Sequence, residues 1–169
     1  MILVSLSAWV VMSVVAYGQE PQPAGVNFVL RYHVGGHVID SAKGTFTRDT
    51  ASPQHTITIE LKLTQDEIDQ IEMGLDQIDF WNDQKYPSIF SIPLKRVAGE
   101  IVGMRFPSAS IVLSVTRRGV VKTLTWNDNI IYPTYGPAEE LRALINRIVG
   151  MIEAKPEYKK LPPSKAVYI

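Results

Sequence analysis

The 169-residue sequence predicts an α+β domain in which an antiparallel sheet carries two amphipathic helices on one face. Three observations lead there. Several segments alternate apolar and polar residues beside tight-turn signals, two longer stretches repeat apolar residues every three or four positions, and the order along the chain is β-β-β-α-β-β-α. Short hairpin connections imply antiparallel neighbours, because parallel strands need a longer crossover.

Val26, Phe28, Leu30 and Tyr32 alternate with Asn27, Val29, Arg31 and His33, the two-residue period of a strand with one buried face. Gly35-Gly36 then supplies a tight turn, setting Val34 opposite His37, with a return strand at His37–Ile39. A further short strand is allowed around Gly44–Arg48. Thr56 to Leu63 gives the cleanest alternation, with Ile57, Ile59, Leu61 and Leu63 facing inward.

Thr64 followed by Glu67 reads as a capping box, so a helix begins at Gln65. Its apolar stripe is Ile68, Ile71, Leu75 and Ile78, with Phe80 and Trp81 as aromatic anchors at its end. From Tyr86 to Pro107, prolines and glycines interrupt short apolar pieces that hold at most a strand or two. Ser110 to Trp126 is a hairpin turning at Arg117-Arg118-Gly119, followed by a polar turn at Asn127-Asp128-Asn129. Gly136-Pro137 opens a last helix with Leu141, Leu144, Ile145, Ile148, Val149 and Ile152 on one face, ending at Lys155-Pro156. Three prolines make the remaining tail extended, with Tyr158 and Leu161 available to pin it onto the domain.

Upstream, no Lys, Arg, Asp or Glu precedes Glu20, and Ala16-Tyr17-Gly18 puts small residues at the two positions a signal peptidase reads. Residues 1–18 therefore read as a signal peptide, 19–25 as a flexible leader, 26–162 as one α+β domain and 163–169 as an extended tail. A retained membrane anchor and a buried element are the alternatives for the first segment. Export places the domain in the periplasm, the cell envelope or outside the cell, with no membrane association once the signal is cleaved.

With no Cys in the chain, disulfides, thiolate nucleophiles and Cys-ligated metals are excluded. Seventeen Lys and Arg balance seventeen Asp and Glu, which removes the general electrostatic argument for a nucleic-acid partner. The balance conceals a division: residues 60–83 hold eight acids and one Lys, whereas 84–122 hold seven bases and one acid. Within the first block, Asp69, Glu72, Asp76 and Asp79 fall in one stripe beside the apolar one, at about 100° per residue. A solvated face, a basic partner, pairing with the basic block of the same chain and calcium are the alternatives there. Within the second block, Arg96, Arg105, Arg117 and Arg118 are candidates for contacting a partner by charge, set against ordinary solvated strand edges.

Two Trp-Asn-Asp tripeptides, at Trp81 and Trp126, either mark core tryptophans followed by Asx turns or, with Tyr132 and Tyr135, line an aromatic sugar or lipid pocket. His33, His37 and His55 allow a three-histidine metal site only if they converge, and a two-residue hairpin points His33 and His37 to opposite faces; the alternative is surface or strand-edge histidines. Signatures of the nucleophile elbow, phosphate loop, dinucleotide fold and zinc peptidase are missing from the sequence, so no catalytic residue, metal or cofactor is expected.

The segments Leu30 to Gly36, Leu63 to Glu67 (Leu-Thr-x-x-Glu), Ile78 to Trp81 (Ile-Asp-Phe-Trp), the Gly119 hairpin and Pro156 to Pro162 together resemble a loose group of small exported bacterial domains of unknown function. The element order is also similar to that of emfourin-type protein inhibitors of thermolysin-like metallopeptidases. That resemblance covers about residues 26–162, and every motif in it is structural; the long basic stretch from Pro87 to Ser108 departs from the pattern. It implies a domain without enzymatic activity that binds a protein or peptide partner, a secreted peptidase in its sharpest form. A small-ligand carrier is the alternative.

Overall fold

The structure, a computed structural model, describes residues 25–32, 36–50, 56–92, 103–132 and 135–162. The expected signal peptide, the leader up to residue 24, the tail 163–169 and part of the irregular stretch lie outside these residues. The elements are β1 (Val26–Tyr32), β2 (His37–Asp40), β3 (Thr45–Asp49), β4 (Thr56–Glu60), α1 (Gln65–Gln77), β5 (Ile89–Phe90), β6 (Gly103–Arg117), β7 (Val120–Tyr132), α2 (Gly136–Ala154) and α3 (Pro156–Lys159). The fold is α+β, and both long helices bury their apolar faces in one core with the sheet.

Two parts of the expected architecture are corrected. Four strands precede α1, because Thr45–Asp49 forms a full partner of both β2 and β4. The sheet runs β4-β3-β2-β1-β6-β7-β5 and is mixed, since β5 lies parallel to β7. Nothing in Ile89-Phe90 itself sets that direction. Three residues earlier Tyr86 is fully buried, and its hydroxyl donates to Glu140 at 2.9 Å with the Pro137 carbonyl 3.1 Å away. Anchored there at the start of α2, the chain meets the free edge of β7 running the same way.

Local pairing explains three further differences. The first hairpin pairs Tyr32 with His37, so its turn is longer than a two-residue connection and His37 shares the core face of Tyr32. The β6–β7 hairpin extends well past Trp126, and the expected polar turn at residues 127–129 is strand. The tail begins as the short helix α3, for which Pro156 at the first helical position is preorganised.

The capping box forms as expected: Thr64 Oγ1 accepts from the Glu67 N–H at 3.3 Å and Glu67 Oε2 accepts from the Thr64 N–H at 2.7 Å. Lys155, just past α2, adds an ion pair to the same Glu67 carboxylate at 2.6 Å. Burial pushes the Glu67 carboxyl up, but its bonds to Lys155 and Thr64 more than offset this and hold it below its usual range. The start of α1 is thereby tied to the end of α2. The two helices approach closely at Gly74, where a Cβ would fall 2.7 Å from Leu144 Cδ1.

Candidate partner-binding surface

The β6–β7 hairpin turns through two residues only. Arg118 and Gly119 both have positive φ, 51° and 80°, the backbone of a type I′ turn, and Arg117 pairs directly with Val120 across it. This tight turn fixes Arg117 at the sheet end, against the flank of α1. There its Nε lies 2.8 Å from Glu72 and its two terminal nitrogens reach Asp76 at 2.7 and 3.1 Å. The hydrogen bond to Asp76 raises the Arg117 pKa, and the nearby Glu72 charge adds to it. Lys122 completes the pattern, reaching Asp83 at 2.7 Å while its ammonium stands 5.3 Å from the centre of the Phe80 ring.

Half of the acidic stripe is thus paired within the chain. Of the rest, Asp69 accepts a bond from Gln65 one turn earlier at 2.7 Å. Asp79 has a backbone role: with φ of 58° it sits just past the helix in the left-handed region, and the Phe80 N–H returns to the Leu75 carbonyl at 3.0 Å. This is a Schellman closure, normally made by glycine. Its carboxylate accepts from Asn82 at 2.9 Å, and Asn82 in turn accepts from the Gln84 and Lys85 N–H groups in an Asx turn.

The same closure carries Trp81 onto the surface beside the hairpin tip. Trp81, Arg117, Arg118 and Val120 line an open depression of about 400 Å³. Val120 and Val121 are each 61% exposed, so the tip presents apolar side chains among the arginines. Of the other basic candidates, Arg96 lies outside the described residues, and Arg105 belongs to β6 with its side chain outside them.

The aromatic pocket is corrected. Trp126 is 1% exposed and fills the core, packed edge-on against Phe90 with ring centres 5.4 Å apart and covered by the Arg142 guanidinium at 5.2 Å. Tyr135 is half-buried against the same Phe90, whereas Trp81 faces the hairpin tip, so these three do not line one pocket. The side chain of Tyr132, at the end of β7, lies outside the described residues.

The polar pair that sequence reasoning missed is Asp128–Arg142. Asp128, read as part of a turn, is 5% exposed and accepts from Arg142 Nε at 3.0 and 3.1 Å. Arg142 also donates to the Ile130 carbonyl at 2.6 Å and pairs with Glu139, and its bond to Asp128 raises its pKa. Strict alternation from Trp126, two residues before Asp128, was the available signal that Asp128 faces the core.

His37 is also corrected: it is buried, with its ring 5.3 Å from Tyr32 and 5.7 Å from Phe46. His33 and His55 lie outside the described residues. Among the described residues, no group of three or more His, Cys, Asp or Glu could hold a metal ion. No described helix is long and apolar enough to cross a membrane.

No protein-family model matches the chain, and no curated protein matches it at a significant level.

Proposed function

We propose that this chain is a non-enzymatic exported domain that binds a protein or peptide partner through the hairpin tip and the adjoining flank of α1. The observation that carries this reading is the depression formed by Trp81, Val120, Arg117 and Arg118, in which Val120 is 61% exposed. Trp and Arg are the residue types that dominate binding energy at protein interfaces, because a large rigid surface and a planar multidentate donor lose little entropy on contact. Pairing of Arg117 with Glu72 and Asp76 holds the arginine in place before any partner arrives, which reduces the ordering cost of association. Arg118, which also lines the depression, adds a second positive charge there.

In its sharpest form the partner is a secreted metallopeptidase of the thermolysin type. The test is inhibition of such a peptidase by the wild-type domain, compared with a Trp81→Ala/Arg118→Glu double variant whose retained fold is checked by circular dichroism, because Trp81 also packs edge-on against the core residue Phe80. Inhibition weakened at least tenfold in the variant supports the site and the partner class, equivalent to about 1.4 kcal/mol of binding. Equal inhibition by both proteins refutes the site. If neither inhibits, surface-plasmon measurements against proteins secreted by the same cell decide the wider reading, which fails if no partner distinguishes wild type from variant.

A further inference from the structure

The sheet ends on one side in the two-residue β5 and on the other in the five-residue β4. Very short edge strands discourage pairing; longer ones need charges, proline or a bulge to do so. β4 reads Thr-Ile-Thr-Ile-Glu, without Lys or Pro, and its register with β3 is unbroken from Thr56 to Glu60. Its outward main-chain groups can be identified. The Leu61 N–H donates to the Gly44 carbonyl at 2.8 Å, continuing the β3–β4 ladder, so residues 57, 59 and 61 bond toward β3. The N–H and C=O groups of Thr56, Thr58 and Glu60 therefore face away from the sheet, and among the described residues no strand lies beyond them.

We propose that β4 is a self-association edge, at which a second copy of this chain pairs antiparallel about a two-fold axis through Thr58. That register is self-complementary. Thr58 faces Thr58 of the copy and Thr56 faces Glu60, so every outward N–H and C=O of the three residues meets a partner. A slip along the strand leaves some of them unpaired. The two Glu60 carboxylates stand about 13 Å apart in this register, beyond a screening length of about 8 Å at physiological salt. Each also keeps its own Lys62 at 2.6 Å. Ile57 and Ile59 are half-buried and share the core side with Arg48 and Phe46, their cross-strand neighbours. In the pair, Ile57 of one copy meets Ile59 of the other, and the core continues across the axis. A single five-residue ladder buries much less than the roughly 1,200 Å² of a stable interface, so the dimer is weak, with a dissociation constant on the order of 100 μM.

The chain has no cysteine, which permits a clean test on the purified full chain. Residues opposed in a hydrogen-bonded antiparallel pair have Cα atoms about 5.5 Å apart, within disulfide range. Thr58→Cys should cross-link at least tenfold faster than Thr123→Cys, an exposed position on the same open face of the sheet in β7. Thr58→Pro removes one outward N–H and leaves the β3 ladder intact, so it should raise the dissociation constant measured by sedimentation at least tenfold with the fold retained. Association through any other surface leaves the two cysteine variants equal, and that result overturns the proposal. So does a chain that stays monomeric at millimolar concentration, or a Thr56→Cys variant that cross-links faster than Thr58→Cys. If Thr58→Pro fails to fold, the cysteine comparison decides alone.

Discussion

Replacing Arg142 by Met removes the guanidinium that Asp128 depends on and leaves a carboxylate only 5% exposed between β7 and α2. The loss has three parts. Both Nε contacts to Asp128 vanish, the Ile130 carbonyl loses its donor, and Trp126 loses the cation over its ring. Breaking one side of a buried ion pair costs about 3–5 kcal/mol, because the remaining charge is desolvated with nothing to offset it. At about 2–4 °C per kcal/mol for a domain of this size, the midpoint of thermal unfolding should fall by about 6–20 °C. Replacing both partners, Asp128→Leu with Arg142→Met, removes the stranded charge and should recover stability to within about 1–2 kcal/mol of wild type. Urea unfolding followed by tryptophan fluorescence measures all three proteins. If the single variant costs less than about 1 kcal/mol, or the double variant is no more stable than the single, the pair does not clamp α2 to the sheet.

Two other perturbations test the ends of α1. Asp79→Asn keeps an oxygen for the Asn82 bond, suits the left-handed backbone better and removes a negative charge from the helix C-terminus, so unfolding should become harder by about 0.5 kcal/mol. A destabilised variant in urea unfolding would show that the carboxylate charge itself is needed. Glu67 titrates below its ordinary value of 4.5 in the folded chain, so its contribution is present above that pH and is lost as the pH falls through the depressed value. Wild type should therefore exceed Glu67→Gln in thermal stability at neutral pH, and the gap should close as the pH falls through the depressed Glu67 value. A gap that is constant with pH, or that widens in acid, would contradict the pairing of Glu67 with Lys155.

Both helices were legible because each satisfies a local rule along its whole length. Thr64 and Glu67 are three residues apart and can cap each other without help from the rest of the fold, and Pro137 suits a helix start wherever it occurs. The Gly119 turn was legible for the same reason, since adjacent residues with positive φ are a local demand that glycine meets. The candidate surface was legible only as ingredients. The acidic and basic blocks are plain in the sequence, but the meeting of Arg117 with Glu72 and Asp76 depends on where β6 ends relative to α1. Trp81 and Trp126 sit in identical tripeptides and have different fates, one half-buried at the edge of the core and one fully inside it. The difference is the element each follows: Trp81 emerges from a helix closure, whereas Trp126 continues an alternating strand whose next inward residue is Asp128.

By itself, the sequence determined the α+β class, the two amphipathic helices, the position of the main hairpin turn and the absence of any thiol chemistry. These follow from periodicity, capping and composition, which act over a few residues or need no geometry. Tertiary structure decided the direction of β5, the burial of His37 and Asp128, and the pairing of opposite charge blocks across the hairpin tip. Each of these depends on which distant segment arrives opposite, and the free energy that selects it comes from burial and ion pairing between residues far apart in the chain.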